Sequence, residues 1–236
     1  MANRFRQIRG VRILHEDPDI IVVEKSAGIL SCATRRGDEH TVEDALTDYV
    51  RKGQVRSRKQ VYLVHRLDRA TSGVMMVAKT PDVQEYFRSN WNKLTEKTYL
   101  ARVRGAIEEK EGVYESYLAE DPKTLLVRSV KNPKYGKLAR TIYKVLSKGN
   151  GTTLVEVQLK SGRKNQIRVH FSENGHPIVG DSRYGHDKGD LMLHSWKLAF
   201  IHPHTRKKMF FETELPYFAR EMAKEKDTPK EDNTNN

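Results

Sequence analysis

Two short apolar runs, VRIL and IIVVE, lie within residues 11–24 and flank the turn-forming HEDPD. This pattern predicts a β-hairpin or two adjacent strands, closed by Lys25-Ser26-Ala27-Gly28. The period then changes. In TVEDALTDYVRKG, Thr41 and Asp44 have capping-box spacing and Val42, Leu46 and Val50 recur on one helical face, with Gly53 as the stop. VYLV reads as a strand leading into HRLDRATSG; VMMVAKT follows as a second strand, then a helix from Pro81 to Leu94 with proline in its first turn. TEKTYLARVRG alternates as a strand, and residues 113–118, 125–130, 139–146 and 152–159 predict four more. Residues 163–173 predict a helix ended by Asn174-Gly175, residues 191–201 and 207–213 two strands, and residues 217–223 a short helix.

So many strands with few helices predict an α+β fold: a large mixed, mainly antiparallel sheet flanked by helices and loops. A chain of 236 residues can bury a substantial core. One domain over residues 1–223 is expected. The tail KEKDTPKEDNTNN, residues 224–236, has no apolar anchors and is expected to be disordered. There is no internal repeat.

Composition adds a partner. Hydrophobic residues make up 37% and charged residues 31%, and 43 Lys plus Arg against 31 Asp plus Glu give a net charge of +12. Such a balance favours a polyanion and raises its encounter rate. Seven Lys or Arg and no acidic residue lie within residues 123–144, with Tyr135 and Tyr143 interleaved, and residues 51–59 add five more basic groups. Phosphate contacts and aromatic stacking on a folded RNA would suit both segments. With Cys32 the single cysteine, neither an internal disulfide nor a cysteine-based metal cluster can form. No pair among His65, His170, His194, His202 and His204 has strong zinc-motif spacing, so no metal is expected. MANRFRQIRG is not followed by an apolar core of signal length, and no stretch approaches the roughly 18 apolar residues that span a bilayer. A cytoplasmic monomer without a membrane anchor is expected.

HRLDRATSG carries the most chemistry per residue. It sets an imidazole, a guanidinium and a carboxylate within four residues, then small hydroxyl residues and a glycine that allow a sharp turn. Taken alone, Asp68 in such a turn is more often a cap for a neighbouring amide or a partner of Arg66. Likewise Tyr99 in an alternating strand and Ile167 on a helix are, alone, ordinary core residues.

Four segments in register change that reading. HRLDRATSG resembles the HRLDxxTSG motif of the RluA-type RNA pseudouridine synthases, and DPDIIVVEKSAGILS resembles their segment usually written with KPAG. KTYLARVRG is similar to their tyrosine motif, and LKSGRKNQIRVHFSENGHPIVGDSRYG to their TGRxHQIRxH motif followed by GxPIxGDxxYG. The resemblance runs from about residue 13 to 215, without the S4-like module that family members commonly carry. It implies that Asp68 is the essential carboxylate, that Arg168 pairs with it, and that Tyr99 contacts the target base. It also implies that Arg66 helps open the RNA and that Ile167 floors the site. His65, Thr71 and Gln166, from the same motifs, are expected to join them in binding substrate.

The chemistry agrees with these roles. Turning uridine into pseudouridine breaks the bond from N1 to C1′, rotates the uracil and joins C5 to C1′. A carboxylate can attack the sugar or the ring, or take a proton from the sugar. A paired base cannot reach it, so the nucleotide must flip out and needs an aromatic face or an apolar slot. The reaction is redox-neutral and needs no group donor, hence no cofactor. The chain departs from the family at Ser26, where proline is usual, and at Asn165, where histidine is usual. Asn165 can donate a hydrogen bond but carries no proton. Ribosomal and transfer RNA are both open as substrates. A catalytically silent RNA-binding protein of the same fold is the main alternative; a glycosidase-like hydrolase would need a second catalytic carboxylate that the sequence does not offer.

Overall fold

The computed structural model of the chain describes residues 7–8, 10–34, 40–54 and 56–227. Its first strands are β1 (Gln7–Ile8), β2 (Val11–Glu16), β3 (Ile20–Lys25), β4 (Tyr62–Leu63), β5 (Ser72–Ala78) and β6 (Thr95–Arg104). They are followed by β7 (Glu111–Glu120), β8 (Val127–Val130), β9 (Lys137–Gly149), β10 (Thr152–Leu159), β11 (Leu193–Ile201) and β12 (Lys208–Glu212). The helices are α1 (Val42–Arg51), α2 (Pro81–Leu94), α3 (Gln166–Glu173) and α4 (Tyr217–Asp227). All twelve strands join one sheet in the order β1-β2-β3-β5-β11-β6-β10-β9-β7-β8, with β12 on β11 and β4 on β5. The pairing of β5 with β11 is parallel and the other ladders are antiparallel. The mixed, mainly antiparallel sheet expected from the sequence is present.

The period-2 alternation sorts side chains onto two faces. Ile21, Val23, Met75 and Val77 point to the face covered by α1 and α3, where Tyr99, Val157, Ile167 and Phe171 complete the largest core cluster. Ile20, Val22, Val74, Met76 and Ala78 point the other way, onto Val83 and Phe87 of α2. With both faces covered, β3 and β5 are apolar almost throughout, as a central strand requires.

Some ends differ from expectation. Thr41 and Asp44 form the capping box as predicted, but Lys52 already takes the left-handed conformation (φ 52°) that ends α1, one residue before Gly53. Of VYLV only Tyr62 and Leu63 pair. Helix α3 starts at Gln166, three residues late, because Asn165 is itself left-handed (φ 53°). The last helix continues through Asp227, past the expected end at residue 223; residues 228–236 lie outside the described ones.

Gly73, the glycine of TSG, shows why that motif ends in one. Its φ is +110°, and a Cβ there would come within 2.1 Å of the Ser195 carbonyl oxygen on the parallel neighbour β11. Two strands carrying side chains at this point could not approach so closely. Gly73→Ala should therefore cost at least about 2 kcal/mol, through strain and the splayed β5–β11 pair. Urea unfolding is the measurement; an unchanged midpoint would show that the strands separate freely here.

Candidate active site

The loop before β5, strand β6, the end of β10 and the start of α3 converge on a cavity of about 210 Å³. Asp68, Arg66 and Thr71 come from the loop, Tyr99 from β6, Leu159 from β10, Gln166, Ile167 and Arg168 from α3, and Leu193 from β11. Seven of the eight expected residues thus line one cavity. Ile167, Leu67 and Leu193 are each 4% exposed and, with Leu159, supply its apolar walls. The Asp68 side chain keeps 28% of its surface open. Burial, opposed by hydrogen bonding to Ser195 and joined by the charge of Asp68, pushes the Tyr99 hydroxyl up to about 12. At neutral pH it is therefore an uncharged donor beside a carboxylate.

The Asp68 loop is held from below by the segment KSAGILS. The amide of Thr71 donates to the Asp68 carbonyl at 3.1 Å, closing a turn that presents the carboxylate. Ser31 Oγ donates to Leu67 O at 2.8 Å and accepts from Leu67 N at 3.0 Å. Lys25 is fully buried and donates to the carbonyls of Ser26 (2.9 Å), Ile29 (2.8 Å) and Arg69 (3.2 Å). Burial pushes its ammonium down to about 8 against the opposing charge of Asp68. Lys25 and Ser31 were not among the expected site residues. The signal for Lys25 was a lysine ending a strand that opens with four buried apolar residues, since a buried ammonium needs carbonyl partners.

Arg168 is less simply placed than the sequence implied. Its Nε and Nη2 form a fork onto Asp181 at 2.7 and 2.8 Å, whereas Nη1 reaches Asp68 Oδ2 at only 3.4 Å. Asp181 has a fully buried side chain and also accepts from the amides of Arg183 and Tyr184, each at 3.0 Å. Burial alone would raise the Asp181 carboxyl, but Arg168 and these amides hold it below the ordinary range. The ring of Tyr184 lies 5.1 Å from the Arg168 guanidinium, and its hydroxyl accepts from Asn165 Nδ2 and Val127 N, each at 3.0 Å. Asn165 Oδ1 in turn accepts from Arg168 Nη1 at 3.3 Å. The residue standing in for histidine thus belongs to the cage that aims the guanidinium.

Other expected residues serve differently. Arg66 is exposed at the rim, and among the described residues none pairs with its guanidinium. Gln166 lines the cavity, but its Oε1 accepts from Ser161 Oγ and Arg163 N while its Nε2 donates to Arg140 O and Thr141 Oγ1. All four of its hydrogen-bonding positions are committed within the protein. His65 does not line the cavity. Its Nε2 accepts from Met76 N at 3.0 Å and its ring stacks on Trp91 at 4.4 Å. Burial, then the charge of Lys97, pushes it down to about 3, so it stays neutral. Tyr143, expected to interleave with basic residues at the surface, is 5% exposed and packs on Tyr114 and Phe171.

The sequence profile described as RNA pseudouridylate synthase matches residues 19–173. The chain belongs to this family. It is 35% identical over 216 residues to the uncharacterized RNA pseudouridine synthase YjbO of Bacillus subtilis (strain 168), covering 90% of this chain and 75% of that protein. It is 33% identical over 216 residues to the dual-specificity RNA pseudouridine synthase RluA of Yersinia pestis, covering 87% of this chain and 99% of that one. Among solved structures, human RNA pseudouridylate synthase domain containing 4 superposes with a TM-score of 0.70 at 26% identity, over 89% of this chain and 90% of that one. The synthase is therefore of the RluA type, an isomerase that converts uridine to pseudouridine in RNA.

One further cluster of titratable groups occurs at the opposite end of the synthase's central strands. Asp17, Asp19 and His202 place one ligand atom each within 4.8 Å of one another, as a metal would require. His202 Nδ1, however, accepts from the amides of His204 and Thr205 at 3.3 and 3.2 Å. Its proton therefore sits on Nε2, which donates to Asp17 Oδ2 at 3.2 Å. His15 and His204 bind the same two carboxylates at 2.8 and 2.6 Å. The group ties the β2–β3 turn to the β11–β12 turn. Among the described residues no helix is long and apolar enough to cross a membrane.

Proposed function

We propose that the synthase flips a uridine out of structured RNA into the Asp68 cavity and isomerises it with that carboxylate. The observation that carries this reading is the meeting of Asp68 and Tyr99 with three leucines and Ile167 in one small cavity. The apolar walls suit the faces of uracil, and Tyr99 supplies a ring edge and a neutral hydroxyl. Asp68 attacks the sugar or the ring, or takes a proton from the sugar, as the N1–C1′ bond breaks. The base turns within the cavity and C5 joins C1′ as any bond to Asp68 breaks; the C5 proton then leaves and N1 takes up a proton, so that the product is an isomer of uridine. Arg168 supplies positive charge beside Asp68, and exposed Arg66 takes the place vacated in the stem. Thr71 shapes the turn that carries Asp68; Gln166 and His65 act by position, one holding α3 and the other the base of the loop.

The substrate is ribosomal RNA, in keeping with the name of the ribosomal large subunit relative from Nitrosomonas europaea, or transfer RNA, and the setting is a cytoplasm. The synthase acts as a monomeric catalytic unit over residues 1–223, and its chemistry requires neither metal nor cofactor. RNA from cells lacking the protein, incubated with it, should gain a mass-silent uridine isomer. Released uracil would mean hydrolysis, and no change in uridine would favour the silent RNA-binding alternative.

Affinity should also fall with salt. If about five to seven of the groups in the basic segments meet phosphate, the slope of log K against log salt should be about −3.5 to −5, by the roughly −0.7 per contact of single strands. Filter binding between low and moderate salt measures it. A flat line would show that the basic segments do not meet phosphate.

A further inference from the structure

A second cleft opens beside the Asp68 cavity and shares the Gly162–Arg163–Lys164 loop with it. Its volume is about 530 Å³, within the roughly 300–1,000 Å³ of small-ligand sites. Buried Leu118 and Val127 line it, and Lys134, Tyr135 and Lys137 line it together with the shared loop. Lys134 and Lys137 are exposed, and among the described residues neither ammonium has a carboxylate partner. Glu120 is the acidic residue of the cleft, and Lys164 is already bound to it.

The turn that carries Tyr135 has little freedom. The residue ends a single 3-10 turn over Pro133–Tyr135, in which Asn132 Oδ1 accepts from Lys134 N at 2.9 Å and Asn132 O from Tyr135 N at 3.1 Å. Pro133 fixes one dihedral of that turn. Gly136 lets it lie flat on the sheet, since a Cβ there would come within 2.6 Å of Val130 Cγ2 and 2.9 Å of Tyr117 Cβ. Yet the tyrosine itself is 68% exposed, and among the described residues no ring or cation stacks on it. An unstacked aromatic ring on a well-held turn, between lysines without a carboxylate partner among the described residues, resembles the platforms on which nucleic-acid bases stack.

From this geometry we propose that the cleft is a second nucleotide site. It holds a nucleotide flanking the flipped uridine, with the base on Tyr135 and its phosphates on Lys134 and Lys137. The shared loop makes the sites adjacent, so one RNA strand bridges both. This proposal rests on the function proposed above. It adds a means of choosing substrate: the enzyme reads whether a neighbour of the target can unstack, at a residue that does not touch the reacting atoms.

The test uses the full chain and RNA from cells lacking the protein. Tyr135→Ala should weaken binding and raise half-saturation roughly 5- to 150-fold, the range of one base–aromatic stack. The single-turnover rate at saturation should stay unchanged, and Tyr135→Phe should stay within about twofold of wild type. Lys134→Ala with Lys137→Ala should make the salt slope shallower by about 1.4, for two contacts at roughly 0.7 each. Equal affinity for wild type and Tyr135→Ala would overturn the site, as would a Phe variant as weak as Ala. A wild type that makes no pseudouridine overturns the proposed function instead, while the Tyr135 binding comparison still decides the cleft.

Discussion

Asp68→Asn should abolish pseudouridine formation, by at least about 1,000-fold in single-turnover rate, while leaving the fold and RNA affinity in place. An amide nearly matches the carboxylate in shape but is neither nucleophile nor base. The turn beneath it survives, because its closing bond runs from Thr71 N to the backbone carbonyl of residue 68 and not to the side chain. The lost contact to Arg168 is a 3.4 Å one at a side chain that water already reaches, so little stability goes with it. Removing a negative charge from a surface that meets phosphate should hold affinity steady or tighten it. The outcome is thus a split, with binding retained and product lost. Turnover within tenfold of wild type would remove Asp68 from the chemistry. Weakened binding together with an altered melting profile would mean that the loop had collapsed.

The residues that give the cavity its chemistry were legible in the sequence to a greater extent than those that hold them. Asp68, Tyr99, Ile167 and Arg168 stand in separate segments, and only their common order gave each a meaning beyond packing or capping. The structure brings all four to one cavity. The supporting residues fared differently, for physical reasons. Gln166 sits at the wall, yet which of its hydrogen bonds are spent depends on Arg140 and Thr141, more than twenty residues away. His65 neighbours Arg66 in sequence but turns into the layer of Trp91. Tyr143 could have been read correctly: it shares parity along β9 with buried Ala139 and Thr141, whereas Arg140 and Lys144 have the opposite parity and face water. Composition drew attention to the tyrosine's basic neighbours when the period-2 pattern already placed it in the core. Asp181 lay in the quoted GDSRYG segment, but nothing local says that its partner is on α3. An ion pair between distant segments is a property of the fold.

That pair governs the second large effect. Arg168→Met should lower stability by about 3–5 kcal/mol, since removing one partner of a buried pair strands the other charge. The stranded group is Asp181, with no exposed side-chain surface, and not the partly open Asp68. The pH dependence has a definite sign. In wild type Asp181 is held below its ordinary value, so it adds stability above the unfolded pKa near 4, and that contribution is lost as pH falls through the folded value. Without Arg168 the burial that raises its pKa has only the Arg183 and Tyr184 amides against it, and the charged form becomes a liability at neutral pH. The stability gap between wild type and Arg168→Met should therefore be widest near neutrality and narrow as pH falls through the carboxylate range. Adding Asp181→Leu to Arg168→Met removes the stranded charge and should restore much of the lost stability. It should not restore activity, because Asp68 still lacks the guanidinium beside it. Arg168→Lys keeps one positive charge but cannot fork onto Asp181 and reach Asp68 together, so it should fall between wild type and methionine in both readouts. Urea unfolding across pH and single-turnover rates of wild type and the three variants at one pH decide the matter. Recovery of activity in the double variant would show that Arg168 acts solely as a structural partner of Asp181. A gap that does not change with pH would show that the Arg168–Asp181 pair contributes no charge-dependent stability.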